Sequence, residues 1–158
     1  MKKARVLLVS PNLKGITDGI TRIQPTMGLL LIAPILQRAG HTVKVYDSAL
    51  DGWNTRKTLD ANHNVVMIGH TDDQIASVIS DFSPDIVAVS VLFSNLIESA
   101  HNIAKVTKQV NKTTHYLVRY IVKPGLLKGN FTCTVNTSDI INYKTNKNLP
   151  TIQKKILN

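Results

Sequence analysis

Hydrophobic positions along the first 110 residues alternate between two rhythms. Arg5-Val6-Leu7-Leu8-Val9-Ser10 is a short, wholly apolar run that Pro11 closes, since proline cannot continue a central ladder. From Pro25 the spacing changes to a helical one, with Leu29, Leu30, Ile32, Ala33 and Leu36 ahead of Gly40. Thr26 is placed to cap that helix and Gly40 to end it. Pro34 lies inside it and predicts a kink. His41–Asp47 alternates apolar with polar and reads as a second strand. Thr71-Asp72-Asp73-Gln74 has the form of a capping box and opens a helix through Ile75, Val78, Ile79 and Phe82. Pro84-Asp85 then leads into Ile86-Val87-Ala88-Val89-Ser90-Val91, a strand of the kind covered on both faces. Ile97, Ala100, Ile103, Ala104 and Val106 mark an amphipathic helix that follows it, between Leu96 and Val110.

This order, β-α-β-α-β-α, predicts an α/β domain: a Rossmann-like (flavodoxin-like) three-layer sandwich around a parallel sheet. Residues 11–25 read as a long loop, and residues 48–70 as irregular apart from the apolar run Val65–Ile68. After Val110 the pattern decays. One further strand fits at 116–122, and the sheet is expected to be incomplete on its C-terminal side. The domain is therefore expected to span residues 4–110, with 111–158 a divergent, weakly structured tail.

Charge sharpens that boundary. The net charge of +9 is unevenly spread. Residues 1–110 carry a net of +2, whereas residues 111–158 hold eight Lys/Arg against Asp139 alone. The tail has one arginine, Arg119, and no spaced aromatic platform, so a solvated segment is expected rather than nucleic-acid binding. Cys133 is the single cysteine. That excludes an internal disulfide, a four-cysteine zinc site and a three-cysteine iron–sulfur site. Neither a secretion signal nor a membrane span is evident, which makes the cytoplasm the expected location.

In an open parallel sheet, ligands bind outside the carboxyl ends of the strands, where the strand order reverses. For a flavodoxin-like order the mouths of the first and third strands share that cleft. Ser90, Ser94 and Asn95 fit either ligand contact or the simple end of a strand and start of a helix. Asn12 fits contact or an Asx-turn, and Asp47 fits contact or a turn. Gly15 and Gly19 form no phosphate loop. His101 is expected on the exposed side of its helix.

Five segments also resemble a known family when taken in order: Pro25-Thr26-Met27-Gly28-Leu29-Leu30, Gly40–Asp47, Gly69-His70-Thr71-Asp72-Asp73-Gln74-Ile75, Pro84–Ser90 and Phe93-Ser94-Asn95. They are similar to the N-terminal cobalamin-binding domain of cobalamin-dependent radical SAM enzymes, nearest to the methyltransferases of natural-product pathways. The resemblance covers about residues 4–110. It implies a cobalamin (B12) site with contacts from Asn12, Gly28, Asp47, Gly69, His70, Ser90, Leu92, Phe93, Ser94 and Asn95. Ser90-Val91-Leu92 resembles the Ser-x-Leu element beside the cofactor's nucleotide tail. The related histidine-ligating domains carry Asp-x-His-x-x-Gly after strand one. Here Asn12-Leu13-Lys14-Gly15 has no histidine, so none is expected on cobalt from that loop.

The same family implies that the segment around Gly69 lies near the lower face of the corrin. His70 is then either a loop histidine in a helix N-terminal turn or a ligand to cobalt. The strand expected to end in Gly-Gly near 118–124 has only Gly125, and the radical SAM cysteines are missing. The chain therefore reads as a truncated cofactor module, without a complete catalytic site, whose radical SAM partner would be a separate chain. The rival expectations are a cofactor-free flavodoxin-like regulatory or interaction domain, a nucleotide-binding fragment, and a non-functional remnant.

Overall fold

A computed structural model describes residues 3–17, 23, 25–62 and 64–120, with Ser94, Arg119 and Tyr120 described by backbone alone. Cys133, His63, Gly19 and the basic tail past Tyr120 lie outside the described residues. The apolar run Arg5–Ser10 forms β1, and three of its core side chains are at most 2% exposed. Such a strand needs cover on both faces and partners on both edges. Thr42–Asp47 forms β3 and Ile86–Val91 forms β6, and both pair with β1 in parallel. His115–Tyr120 forms β7, parallel to β6, and completes a four-stranded sheet of order β3-β1-β6-β7. The strand expected at 116–122 thus begins one residue earlier, and residues 121 and 122 lie outside the described residues.

Period-two alternation divides the core into two layers. Leu7, Val9, Tyr46, Val87, Val89 and Val91 face one way, into a cluster with Ile75, Ile79, Ala100, Ile103 and Tyr116. That layer is closed by α3, Asp72–Phe82, and α4, Ile97–Val110. Val6 and Leu8 face the other way, with Leu29 and Ala33 of α1, Met27–Arg38. Helices on both faces of a parallel sheet make the three-layer α/β, Rossmann-like fold that the hydrophobic rhythm predicts.

The capping box of α3 forms as expected: Thr71 Oγ1 accepts from the Gln74 amide, and the Gln74 side chain returns to the Thr71 amide. Thr26 differs, since its side chain caps nothing. Pro34 is held within the continuous α1.

Two stretches read as irregular are ordered. Leu13–Ile16 forms β2 inside the expected loop, Arg56–Thr58 forms β4, and Val65–Ile68 forms β5. These pair antiparallel as a second, three-stranded sheet of order β2-β5-β4. Ser48–Asp51 adds one helical turn, α2, directly after β3. Strands of three and four residues carry too little alternation to be legible in sequence.

Leu7, with no exposed surface at the centre of β1, should lose about 3 kcal/mol of stability as Leu7→Ala. Leu31→Ala, on the open side of α1, should stay within about 0.5 kcal/mol of wild type. Urea unfolding monitored by circular dichroism measures both; equal losses would contradict this layering.

Candidate functional site

The sheet order brings the ends of β1 and β6 side by side, with Val9 opposite Val89. From β1 the chain crosses to β3 on one side, and β6 lies on the other, so the strand order reverses between them. This is the topological switch point at which doubly wound sheets hold ligands. The second sheet sits beside it, because β2 leaves β1 after two residues and pairs with β5. Lys14 on β2 makes an ion pair with Glu98 on α4. That partner draws the Glu98 carboxyl below its ordinary pKa.

Three candidate residues from two segments meet here: Asn12 after β1, and Gly69-His70 after β5. Asn12 is buried; its Nδ2 donates to the His70 carbonyl at 2.9 Å, and its Oδ1 accepts from Ser48 Oγ at 2.5 Å. The Tyr46 hydroxyl lies 3.2 Å from Ser48 Oγ and 2.7 Å from His70 Nδ1, and the Tyr46 and His70 rings stack at 5.8 Å. Burial pushes the Tyr46 phenol up to about 12, against a smaller opposing effect of its Ser48 hydrogen bond.

Two glycines let these backbones close. A Cβ on Gly69, whose φ is +139°, would overlap the Asn12 side chain. A Cβ on Gly52 would overlap the backbone at Gly69 and His70. A side chain at either position would force the ring of polar groups apart.

Asn12, Gly69 and His70 line one cleft of about 550 Å³, together with Lys57 and Met67 of the second sheet, Thr55 just before β4, Thr71 and Asp72 at the start of α3, and Ser99, His101 and Asn102 on α4. Asn102 Nδ2 donates to Asp72 Oδ1 at 2.5 Å and ties the two helices across it. His101 corrects the sequence expectation: it is half-buried against the cleft rather than exposed, and burial lowers its pKa. A helical wheel cannot register the second sheet, whose Lys57 and Met67 line the same cleft as His101. Tyr46 and Ser48 were missed for a related reason. Each looks like an ordinary strand-end residue until β5 arrives beside it.

The remaining candidates lie elsewhere. Asp47 caps α2 through the Leu50 amide at 3.0 Å. Desolvation raises its pKa, partly offset by the Leu50 and Ala49 amides. Ser90 is half-buried, and alternation along β6 turns it to the α1 side of the sheet with Ile86 and Ala88. Leu92 and Phe93 are exposed beyond the strand, at 44% and 57%. Ser94 and Asn95 lie in the 3₁₀ turn Ser94–Leu96 that leads into α4. Gly28 is exposed in the first turn of α1, and a side chain there would meet open space. Of the ten candidates, Asn12, Gly69 and His70 line the cleft, Ser90, Leu92, Phe93, Ser94 and Asn95 lie at the end of β6 and just beyond it, and Asp47 and Gly28 stand apart at the starts of α2 and α1.

Fold and site together define a doubly wound, Rossmann-like α/β domain with a cleft beside the carboxyl end of β1. No family model matches the chain. The chain is 30% identical over 106 residues to the cytidylyl-2-hydroxyethylphosphonate methyltransferase of Streptomyces wedmorensis. The match covers 67% of this chain and 20% of that protein, so the chain spans about a fifth of the length of the curated relative it matches. The similarity accords with the methyltransferase-like part of the resemblance read from the sequence. Among the described residues no helix is long and apolar enough to cross a membrane.

Asp47 gives a pH test of the geometry. Its folded pKa lies above the unfolded one, so the native state binds the extra proton. Its contribution should therefore fall as pH rises from about 4. Asp47→Asn keeps an oxygen for the cap and removes the titration. Unfolding free energies measured from about pH 3 to 7 should show wild type losing ground to the variant as pH rises. A constant difference, or one of opposite sign, would contradict a desolvated carboxyl.

Proposed function

We propose that this chain is the cobalamin-binding module of a methyltransferase-like, B12-dependent radical SAM protein. The observation that supports it most is the shared mouth of β1 and β6 at the switch point. A corrinoid is broad and carries a flat base on a phosphoribosyl tail. It therefore asks for a wide edge plus a narrow slot lined by small residues.

Both features have counterparts among the described residues. The cleft around Asn12, Gly69 and His70 offers the edge. Ala88 and Ser90 are small and half-buried on the α1 side of β6, in register with the half-buried Leu117 and with Arg119 of β7. Gly28 leaves the start of α1 without a side chain, with open space where one would stand. The residues present thus fit a corrinoid, with Ser90 and Gly28 beside the tail and Asn12, Gly69 and His70 beneath the ring. Bound there, the cofactor would supply a cobalt able to carry a methyl group. The protein's own part is to orient it and to exclude water. The one cysteine, Cys133, gives no cluster motif, so radical chemistry would have to come from a partner domain.

A second reading, a cofactor-free interaction domain, is favoured by one observation. The outer side of α1 leaves Met27, Leu31 and Ile35 about 60% exposed, at 59%, 65% and 62%. Contiguous apolar surface of this kind marks an interaction face.

Hydroxocobalamin mixed with the full chain and passed through gel filtration separates the two. Cobalamin binding predicts retained visible absorbance near one equivalent. It also predicts at least about tenfold weaker retention in Ser90→Phe, with the cooperative melt preserved. A folded chain that retains no colour, and self-associates as concentration rises, would favour the interaction domain instead.

A further inference from the structure

The polar groups at the ends of β1, β3 and β5 close a ring of hydrogen bonds, and counting protons assigns every direction in it. The His70 carbonyl can only accept, so Asn12 presents Nδ2 to it at 2.9 Å. That turns Asn12 Oδ1 toward Ser48, whose hydroxyl must donate, at 2.5 Å. A hydroxyl has one proton. Ser48 Oγ has therefore spent its own and accepts from the Tyr46 hydroxyl at 3.2 Å. The Tyr46 proton is then also spent, so the Tyr46 oxygen accepts from His70 Nδ1–H at 2.7 Å. The reverse assignment would set two lone pairs against each other between Tyr46 and Ser48.

The consequence falls on the far side of the imidazole. With its one proton on Nδ1, the His70 ring carries its lone pair on Nε2. His70 lines the cleft, and Nε2 has no partner among the described residues. An imidazole whose Nδ1–H is anchored by a polar neighbour is the arrangement that orients a metal ligand. No group of three His, Cys, Asp or Glu able to hold a metal ion occurs among the described residues. A single imidazole therefore suits only a metal that arrives with its other ligands already in place.

We propose that His70 Nε2 is an axial ligand to the cobalt of a bound corrinoid, with Tyr46, Ser48 and Asn12 as the residues that position it. This rests on the cobalamin reading above. It also relocates the ligand: the loop after β1 has no histidine, and the imidazole comes instead from the end of β5. Gly69 and Gly52 become part of the same device, since they let the backbone carrying His70 reach Asn12 and Ser48.

The test uses the full chain labelled with ¹⁵N-histidine, loaded with hydroxocobalamin and reduced to cobalt(II). In electron paramagnetic resonance, an axial ¹⁴N splits each cobalt line into three and an axial ¹⁵N into two. The expected result is two-line splitting in the labelled protein, reverting to three in unlabelled protein. Tyr46→Phe should retain cobalamin but weaken the axial nitrogen and shift the visible spectrum, an effect that loss of packing alone would not produce. Three-line splitting that survives labelling, from the cofactor's own base, would overturn the inference and leave the cobalamin reading intact. Absence of nitrogen splitting would do the same. A folded chain that retains no cobalamin overturns both. The tautomer is read separately, in the chain without cofactor, by nitrogen–proton correlation NMR of the imidazole. A proton on Nε2 of His70 would overturn the relay.

Discussion

Parallel pairing of β1 on both edges is the constraint from which the rest of this molecule follows. A strand buried at both faces has no place at a sheet edge. Its two neighbours must come from distant parts of the sequence, and here they are β3 and β6. Each connection must cross a face with its apolar stripe turned inward, which puts α1 on one side and α3 with α4 on the other. Once that is satisfied, the ends of β1 and β6 open at the same edge. The site is thus a by-product of core packing, and its chemistry is added by the loops.

Those loops are held by apolar burial and polar contacts together: Val66 and Ile68 of β5 are buried, and Leu13 of β2 packs against the core. β2 and β5 are only four residues each, too short to form a stable sheet alone. Polar contacts add to that burial: the Lys14–Glu98 ion pair and the ring through Asn12, Ser48, Tyr46 and His70. The ion pair is largely exposed on the Glu98 side and contributes little. The buried ring carries more weight, because each member that loses its partner is left desolvated. Geometry at the edge and orientation of His70 are therefore one problem, solved by the same four side chains.

The parallel sheet was legible because its signals are long. Six-residue apolar strands and helices of eleven residues or more keep one rhythm long enough to be read, and Thr71–Gln74 announces its helix by capping chemistry alone. The second sheet was not legible. Its strands are too short for a period, and pairing between β2 and β5 joins residues about fifty positions apart. The same gap hid half of the candidate site. Asn12, Gly69 and His70 could be named from resemblance, but their convergence on Ser48 and Tyr46 needs the antiparallel pairing that the sequence did not reveal. Asp47 and the Ser94–Asn95 turn each have a visible structural task as well, in capping α2 and leading into α4.

We propose that the adjoining mouths of β1 and β6, with the end of β5 beside them, receive a corrinoid. Hydrogen–deuterium exchange of the full chain, with and without hydroxocobalamin, tests it most directly. Slowed exchange is predicted in three separate stretches, 9–13, 69–72 and 89–95, with the middle of α3 unchanged. Equal exchange in both samples, or slowing confined to the outer side of α1, would contradict it.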